Sequence, residues 1–130
     1  MLANDKDISN NKTPGKNKKQ HTVVMNFGGS SVADAERMRE VANIVLSFPE
    51  EMPVLVLSAM GKSTNNLLMC GEESLKCENA EDVSLMKPLL FVKTLHAETM
   101  DVLNVDKETR REVNELLKKL EQVCMGVCLM

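Results

Sequence analysis

Glycine and hydroxyl residues follow the first apolar run of the chain, and their types suit the binding of an anion. Gly28, Gly29 and Ser30 come directly after the run from Thr22 to Phe27. Two glycines let the backbone turn sharply, and a helix that starts next points free N–H groups and its positive dipole end at the turn. The turn is therefore a candidate phosphate cradle, while an ordinary tight turn explains the same residues.

A second group of such residues follows the second apolar run. Ser58, Gly61 and Thr64 come after residues 54–57, which read Val-Leu-Val-Leu. Because ligands bind at the carboxyl ends of parallel strands, we expect the two loops to face one another across one crevice. Gly61 and Lys62 also resemble the end of a P-loop, but Val56 stands where that motif has its first glycine.

The elements that must position these loops form a strand, a helix and a second strand. Residues 22–27 and 54–57 predict short strands, the second one covered on both faces. Ser31 is the predicted N-cap of the helix between them, with Asp34 completing a pattern similar to a capping box. Apolar residues then recur at helical spacing, and Phe48 and Pro49 end the helix. The recurring residues are Ala35, Met38, Val41, Ala42 and Val45.

The fold class that follows is α/β, with parallel strands and packing helices. Only two strands are convincing, so the sheet is expected to be incomplete. An incomplete sheet leaves an apolar strand edge unpaired, and such edges favour association. We therefore expect marginal stability, with self-association or association with a partner chain.

Two further helices are predicted after the loops. The first covers residues 83–103 with Pro88 in its first turn or at a kink, and Asn104 closes it. Asp106 caps the second helix. Its predicted apolar side consists of Val113, Leu116, Leu117, Leu120, Val123 and Val127. His96 is interpreted as a surface or hydrogen-bonded histidine, since no acid or thiol partner can be placed beside it.

The cysteines do not predict a metal site. The chain has 4 of them, Cys70, Cys77, Cys124 and Cys128, and they do not form two closely spaced pairs of the zinc-binding type. Cys124 and Cys128 lie four residues apart on the last predicted helix, and we interpret them as reduced core thiols.

Composition excludes several classes of partner. A net charge of −3, with 3 Phe and no Trp or Tyr, does not favour nucleic acid, and no apolar run reaches the length of a membrane span. Residues 1–20 are rich in Asn and Lys without apolar periodicity, so we expect a disordered tail. Neither a signal peptide nor a transit peptide is recognisable in it, which would make the chain cytoplasmic if its start is genuine.

The residues around both loops resemble the opening of aspartate kinase, a member of the amino acid kinase family. The resemblance includes Val24-Met25-Asn26-Phe27-Gly28-Gly29-Ser30-Ser31 and Val56-Leu57-Ser58-Ala59-Met60-Gly61-Lys62-Ser63-Thr64, and it is nearest the plant-type, monofunctional enzymes. It extends over residues 21–130, which are then the N-terminal part of a catalytic domain. A chloroplast location is implied by the family.

The resemblance implies roles for individual residues. Asn26, Gly28, Gly29, Ser30 and Ser58 would contact the phosphates of ATP, with Mg²⁺ entering through the nucleotide, and Thr64 would lie near L-aspartate. Aspartate kinases read Lys-Phe-Gly-Gly-Thr-Ser at the first motif, so Asn26 replaces the lysine that contacts phosphate. No catalytic residue is therefore assigned.

Two functions follow as hypotheses. The first is an aspartate kinase segment, from an enzyme that phosphorylates L-aspartate to 4-phospho-L-aspartate at the head of lysine, threonine, methionine and isoleucine synthesis. The second is a truncated or pseudo-enzyme segment that associates with an intact kinase. Under either hypothesis the chain alone is expected to be inactive, because the motif lysine is replaced and the family's carboxylate-clamping Glu and Arg belong to sequence beyond Met130.

Overall fold

The computed structural model describes residues 22–130, and the predicted disordered tail at residues 1–20 lies outside them. Two strands, four α-helices and a short 3-10 helix make up this part of the chain. In chain order they are β1 (Thr22–Phe27), α1 (Ala35–Leu46), β2 (Met52–Leu57), α2 (Ser63–Ser74), the 3-10 helix Ala80–Leu85, α3 (Lys87–Val102) and α4 (Lys107–Cys128). The α/β class is confirmed.

The strands β1 and β2 pair in parallel, with α1 as the crossover between them. Thr22 lies opposite Met52 and Phe27 lies opposite Leu57, so the two strands end at the same level. The predicted bounds of β1 are confirmed, and β2 begins two residues before its predicted start. Within the described residues the sheet has these two strands, and each has one edge without a neighbour.

The prediction that β2 is covered on both faces is wrong for the described chain. All six of its residues are exposed, and Val54, Leu55 and Val56 keep between 42% and 50% of their surface. Leu55 and Leu57 face α1 across an open apolar groove of about 420 Å³. Val54 and Val56 lie on the opposite face, against which no described helix packs closely enough to bury them. A near-continuous apolar strand is thus left accessible.

The helix α1 begins three residues later than predicted. Asp34, rather than Ser31, is its N-cap, and its carboxylate accepts a hydrogen bond from the N–H of Arg37 at 2.9 Å. The extended backbone of Asp34 is the conformation that an N-cap requires. Ser31 instead closes a turn, since its N–H donates to the carbonyl of Gly28 at 2.9 Å. The end of the helix at Leu46, just before Phe48 and Pro49, agrees with the prediction.

The core of the described chain lies among the helices rather than at the sheet. Leu89 and Val83 are completely buried, and they pack with Cys70, Met86 and Cys124. Pro88 lies in the first turn of α3, where its missing N–H costs no helical hydrogen bond, as predicted. The helix α2 was not predicted, because its buried positions, Ser63, Cys70 and Ser74, are small or polar and form no apolar stripe.

The junction between α3 and α4 follows the sequence prediction. Asn104 adopts a φ of +56°, the left-handed conformation that ends a helix and that asparagine tolerates. Asp106 caps α4 by accepting from the N–H groups of Glu108 and Thr109. These hydrogen bonds, with the Thr109 N–H first, lower the pKa of Asp106.

The predicted apolar side of α4 is partly wrong. Leu116 and Val123 are each 63% exposed, whereas Cys124 is buried and Leu120 packs against the core. The buried stripe therefore follows the cysteines, which is consistent with the interpretation of Cys124 as a core thiol. His96 Nδ1 is hydrogen-bonded to the carbonyl of Val92 at 2.7 Å, so it is the satisfied histidine that was predicted. Between Thr22 and Met130, no helix has the length and apolar character to cross a membrane.

Candidate functional site

The two glycine-containing loops meet at the carboxyl ends of β1 and β2. The N–H of Ser58 donates to the carbonyl of Phe27 at 3.0 Å, which extends the strand pairing by one step. A Cβ built on Gly29 would lie 3.5 Å from the carbonyl oxygen of Ala59 and 3.6 Å from that of Gly61. The same point is 3.9 Å from the Cβ of Ser58. The predicted proximity of the two loops is confirmed.

Asn26 and Ser58 belong to the same face of the sheet. Asn26 pairs with Val56, and Ser58 is two residues further along, so the alternation of strand side chains places both on one side. Leu55 and Leu57 lie on the other side, toward α1. Both Asn26 and Ser58 are exposed. An amide and a hydroxyl thus stand on the face of the sheet that α1 does not cover.

The turn after β1 is open on one side. A Cβ at Gly28 would meet no atom within 4 Å, so its backbone is accessible from that direction. Ser30 at the corner of the turn is exposed. The prediction that a helix starts directly at this turn is wrong, because α1 begins at Ala35 and its N-terminus is already capped by Asp34. The dipole end of α1 therefore does not supply the cradle.

The helix that begins beside the loops is α2. It starts at Ser63, two residues after Gly61, and no side chain caps it. Ser63 is buried and donates from Oγ to the carbonyl of Met60 at 2.6 Å. Thr64 is exposed in the first turn, next to the exposed Lys62. Sequence reasoning missed this N-terminus, although the Gly-Lys-Ser-Thr order after a strand was the available signal.

Gly61 fixes the second loop in place. Its φ of +52° lies in the left-handed region, and a Cβ there would approach the carbonyl oxygen of Ala33 to 3.1 Å and Cδ2 of Leu95 to 3.4 Å. Both the conformation and the crowding require glycine. Because Ala33 precedes α1 and Leu95 belongs to α3, this residue joins the sheet unit to the helices.

The six residues to which the sequence assigned binding roles are distributed over three adjoining segments. The first segment contains Asn26, the penultimate residue of β1, and Gly28, Gly29 and Ser30 of the turn that follows. Ser58 after β2 is the second segment, and Thr64 in the first turn of α2 is the third. Among residues 22–130, no cluster of His, Cys, Asp or Glu side chains could hold a metal ion. The site presents hydroxyl, amide and backbone N–H groups, with Lys62 as the adjoining cation.

Comparison with known proteins agrees with this arrangement. A sequence model of the amino acid kinase family matches residues 21–125. The chain therefore belongs to the amino acid kinase family. Within that family, its similarity is to the aspartokinases.

Two curated relatives from Arabidopsis thaliana show the extent of this similarity. Aspartokinase 1, chloroplastic, is 50% identical over 109 residues, which are 84% of this chain and 18% of that protein. Aspartokinase 2, chloroplastic, is 47% identical over 112 residues, which are 86% of this chain and 20% of that protein. The chain thus spans about a fifth of the length of these relatives.

Two solved structures that match are also of an aspartokinase. Escherichia coli aspartokinase III in complex with aspartate and ADP superposes with a TM-score of 0.67 at 26% identity, over 85% of this chain and 23% of that one. The complex of the same enzyme with lysine and aspartate gives a TM-score of 0.66, with the same coverage of both chains. The two-stranded sheet with its helices is accordingly a part of the aspartokinase fold.

Proposed function

We propose that this chain is a segment of an aspartate kinase and that its two loops form part of the site for ATP and L-aspartate. The supporting observation is the meeting of the loops at the ends of parallel strands, where Gly29 lies against Ser58 and Gly61. The family membership and the aspartokinase complexes with aspartate and ADP support the same assignment. The proposed reaction is phosphorylation of the side-chain carboxylate of L-aspartate to 4-phospho-L-aspartate, the first step toward lysine, threonine, methionine and isoleucine.

The residues of the first loop would bind phosphate through the backbone. The open side of Gly28 lets an anion approach the turn without meeting a side chain, and Ser30 adds a hydroxyl donor. Ser58 contributes a second hydroxyl on the face that Asn26 shares. ATP, when bound, supplies the phosphoryl group. Catalysis of such transfers depends mainly on positioning and on stabilising the charge of the moving group.

Asn26 weakens this site. Its amide donates hydrogen bonds but carries no charge, so it cannot replace a lysine as a cation at the phosphates. Lys62, which follows Gly61 in the chain, is exposed, and no hydrogen bond or ion pair in the described chain ties its side chain to the first loop. Hydroxyl and amide groups do not form a magnesium cage of their own, so Mg²⁺ would be held mainly by the nucleotide. We propose that the chain by itself has no kinase activity.

Thr64 is the proposed contact to L-aspartate. It lies in the first turn of α2, where N–H groups without a side-chain cap favour a carboxylate. The exposed Lys62 adds positive charge at the same helix end. A hydroxyl here would orient the substrate toward the phosphate-binding turn.

A chimera tests this proposal. Residues 22–130 replace the matching segment of Arabidopsis Aspartokinase 1, and formation of aspartyl hydroxamate is measured with ATP and L-aspartate. We expect the chimera to be about 10²–10³-fold slower than its parent, since that is the usual effect of losing one charge-stabilising group. Asn26→Lys in the chimera should recover most of this loss. Full activity with Asn26 in place would contradict the assigned role.

Two control measurements accompany the chimera. Ser58→Ala should lower its activity further, whereas Ser47→Ala, at the far end of α1, should not change it. The isolated chain should give no hydroxamate above blank, with or without Asn26→Lys, because one restored cation does not supply substrate contacts from elsewhere in the domain. ATP-dependent turnover by the isolated chain would refute its proposed inactivity.

The exposed sheet favours a second candidate function, association of a non-catalytic segment with an intact kinase. All of β2 is accessible, and each strand has an unpaired edge within the described residues. Light scattering and pull-down with intact Arabidopsis Aspartokinase 1 would test it. We expect self-association or capture by the kinase, and a strict monomer that ignores the kinase at high concentration would exclude this candidate.

A chloroplast location is proposed from the relatives, which are named chloroplastic aspartokinases. Imaging of the full-length product fused at its C-terminus to a fluorescent protein would test it. Fluorescence confined to the cytosol would contradict the proposal.

A further inference from the structure

The four cysteines form two pairs between the same two parts of the chain. Cys70 lies in α2 and Cys77 follows that helix, while Cys124 and Cys128 lie in the last two turns of α4. All four are free thiols. Each pair therefore joins α4 to the α2 segment, but the two pairs differ in their access to solvent.

The outer pair is in direct contact. Sγ of Cys128 donates to the carbonyl oxygen of Cys77 at 3.2 Å, and Sγ of Cys77 donates to the carbonyl oxygen of Asn79 at 3.1 Å. Both residues are half-buried and lie at the edge of the hydrophobic core. Burial and, as the next largest cause, the neighbouring Cys77 thiol raise the pKa of Cys128.

We propose that Cys77 and Cys128 form a reversible disulfide that fastens the last turn of α4 to the segment after α2. A disulfide requires Cα atoms within about 4.4–6.8 Å and side chains directed toward one another. The 3.2 Å contact places the Cys128 sulfur beside the backbone of its partner residue, and rotation about the side-chain bonds is the movement by which the two sulfurs would meet.

The chemistry is thiol–disulfide exchange with a low-molecular-weight disulfide. Cys77 loses its proton and its sulfur attacks one sulfur of the reagent, which breaks the reagent's S–S bond and releases one thiol. Cys128 then loses its proton and attacks the mixed disulfide at Cys77, releasing the second thiol. Two protein thiols are oxidised to one disulfide, and one reagent disulfide is reduced to two thiols.

The inner pair serves as an internal control. Cys70 and Cys124 are only 1% and 4% exposed, so reagents reach them only when the helices separate. Burial, and then the neighbouring Cys124, raises the pKa of Cys70 to about 11, which leaves little of the reactive thiolate at neutral pH. The folded protein should therefore oxidise at the outer pair alone.

A zinc site is the competing use of four cysteines. In the described part of the chain, however, no group of three or more potential ligands is arranged to hold a metal ion. The thiols stand as pairs, and pairs are suited to disulfide formation.

The disulfide between Cys77 and Cys128 would connect residues 51 positions apart and enclose the 3-10 helix and α3. Closing a loop of that length restricts the unfolded chain, so the oxidised form should unfold at higher urea concentration.

The test exposes the folded chain to oxidised glutathione and then quenches with acid. Mass spectrometry of the unreduced digest should show one cross-linked pair of peptides, joining Cys77 to Cys128, with Cys70 and Cys124 still reduced. The urea midpoint should rise on oxidation and return on reduction. Cys77→Ser and Cys128→Ser should each abolish the cross-link and leave a glutathione adduct on the remaining outer thiol.

A parallel reaction in urea needs no variant. In urea the four thiols should react without preference and give a mixture of disulfides, since 4 cysteines can be paired in 3 ways. Separate adducts on Cys77 and Cys128 without a cross-link in the folded chain would overturn the proposal. So would a cross-link that involves Cys70 or Cys124, a disulfide between two chains, or the same mixture with and without urea.

Discussion

The N–H of Ser58 donates to the carbonyl oxygen of Phe27 at 3.0 Å, so the two candidate loops are joined through the backbone. This hydrogen bond is one step beyond the last paired residues of the sheet, Phe27 and Leu57. The position of Ser58 is therefore set by strand pairing, while its exposed hydroxyl is left available. The position of Ser58 and its proposed contact with phosphate thus depend on different atoms of the same residue.

This division predicts different effects for two substitutions of Ser58. Ser58→Ala should change the free energy of unfolding by less than about 0.5 kcal/mol, because an exposed hydroxyl is removed. Ser58→Pro should cost about 1 kcal/mol or more, because it removes the N–H that bonds Phe27. Urea unfolding of both variants checks this. Equal stability of the two variants would show that the backbone bond does not hold the loop.

Gly61→Ala should destabilise the chain by about 1–3 kcal/mol, because a non-glycine residue is strained in the left-handed region and the new Cβ crowds Ala33. The φ of +52° and the 3.1 Å approach act together. Gly126→Ala is the matched control, since Gly126 lies within α4 and its Cβ would meet nothing within 4 Å. The free energy of unfolding of that variant should rise by up to about 1 kcal/mol, because alanine has a higher helix propensity than glycine. A loss of stability in both would point to a general intolerance of substitution.

Asp34→Ala should cost about 1 kcal/mol through loss of the N-cap of α1. Ser31→Ala should cost much less, because the hydrogen bond of Ser31 in the turn comes from its backbone N–H. Far-UV circular dichroism during urea unfolding measures the stability loss of both variants. A larger loss for Ser31→Ala than for Asp34→Ala would indicate that Ser31 is the cap after all.

The stability of α4 should fall at acid pH because of Asp106. Hydrogen bonds from Thr109 and Glu108 hold the pKa of this carboxyl below its ordinary value of 3.8. Because the pKa of Asp106 is lower in the folded than in the unfolded chain, its carboxylate stabilises the fold at pH values above the unfolded pKa. That stabilisation is lost as the pH falls through the folded pKa. Urea midpoints measured from about pH 5 down to about pH 2 should therefore fall more steeply in the parent than in Asp106→Asn, which keeps a cap without the titration. Identical slopes would contradict the role of the charge.

The sequence predicted elements wherever a local rule is decisive. The bounds of β1, the closing of α3 at Asn104 and the capping of α4 by Asp106 follow from residue type and nearest neighbours. The meeting of the loops was predictable too, because the ends of parallel strands share one edge of a sheet.

The errors concern tertiary packing. No apolar stripe marks α2, since its buried positions include Ser63 and Ser74, whose hydroxyls bond to backbone carbonyls. The buried side of α4 follows Cys124 instead of Leu116, because the cysteines pack against Leu89 and Val83. The crowding at Gly61 depends on Leu95, more than thirty residues away, which no local pattern reveals.

The contiguity of β1, α1 and β2 has a consequence for synthesis of the chain. These elements occupy residues 22–57, and the helices follow at residues 63–128. On the ribosome, both strands and their crossover are therefore complete before any part of α2 exists. Among the described elements, the last turns of α4, which bring Cys124 into the core, are made last. A nascent chain thus carries its accessible strands for the whole time that the helical core is being made, and this interval is when a chaperone would be needed.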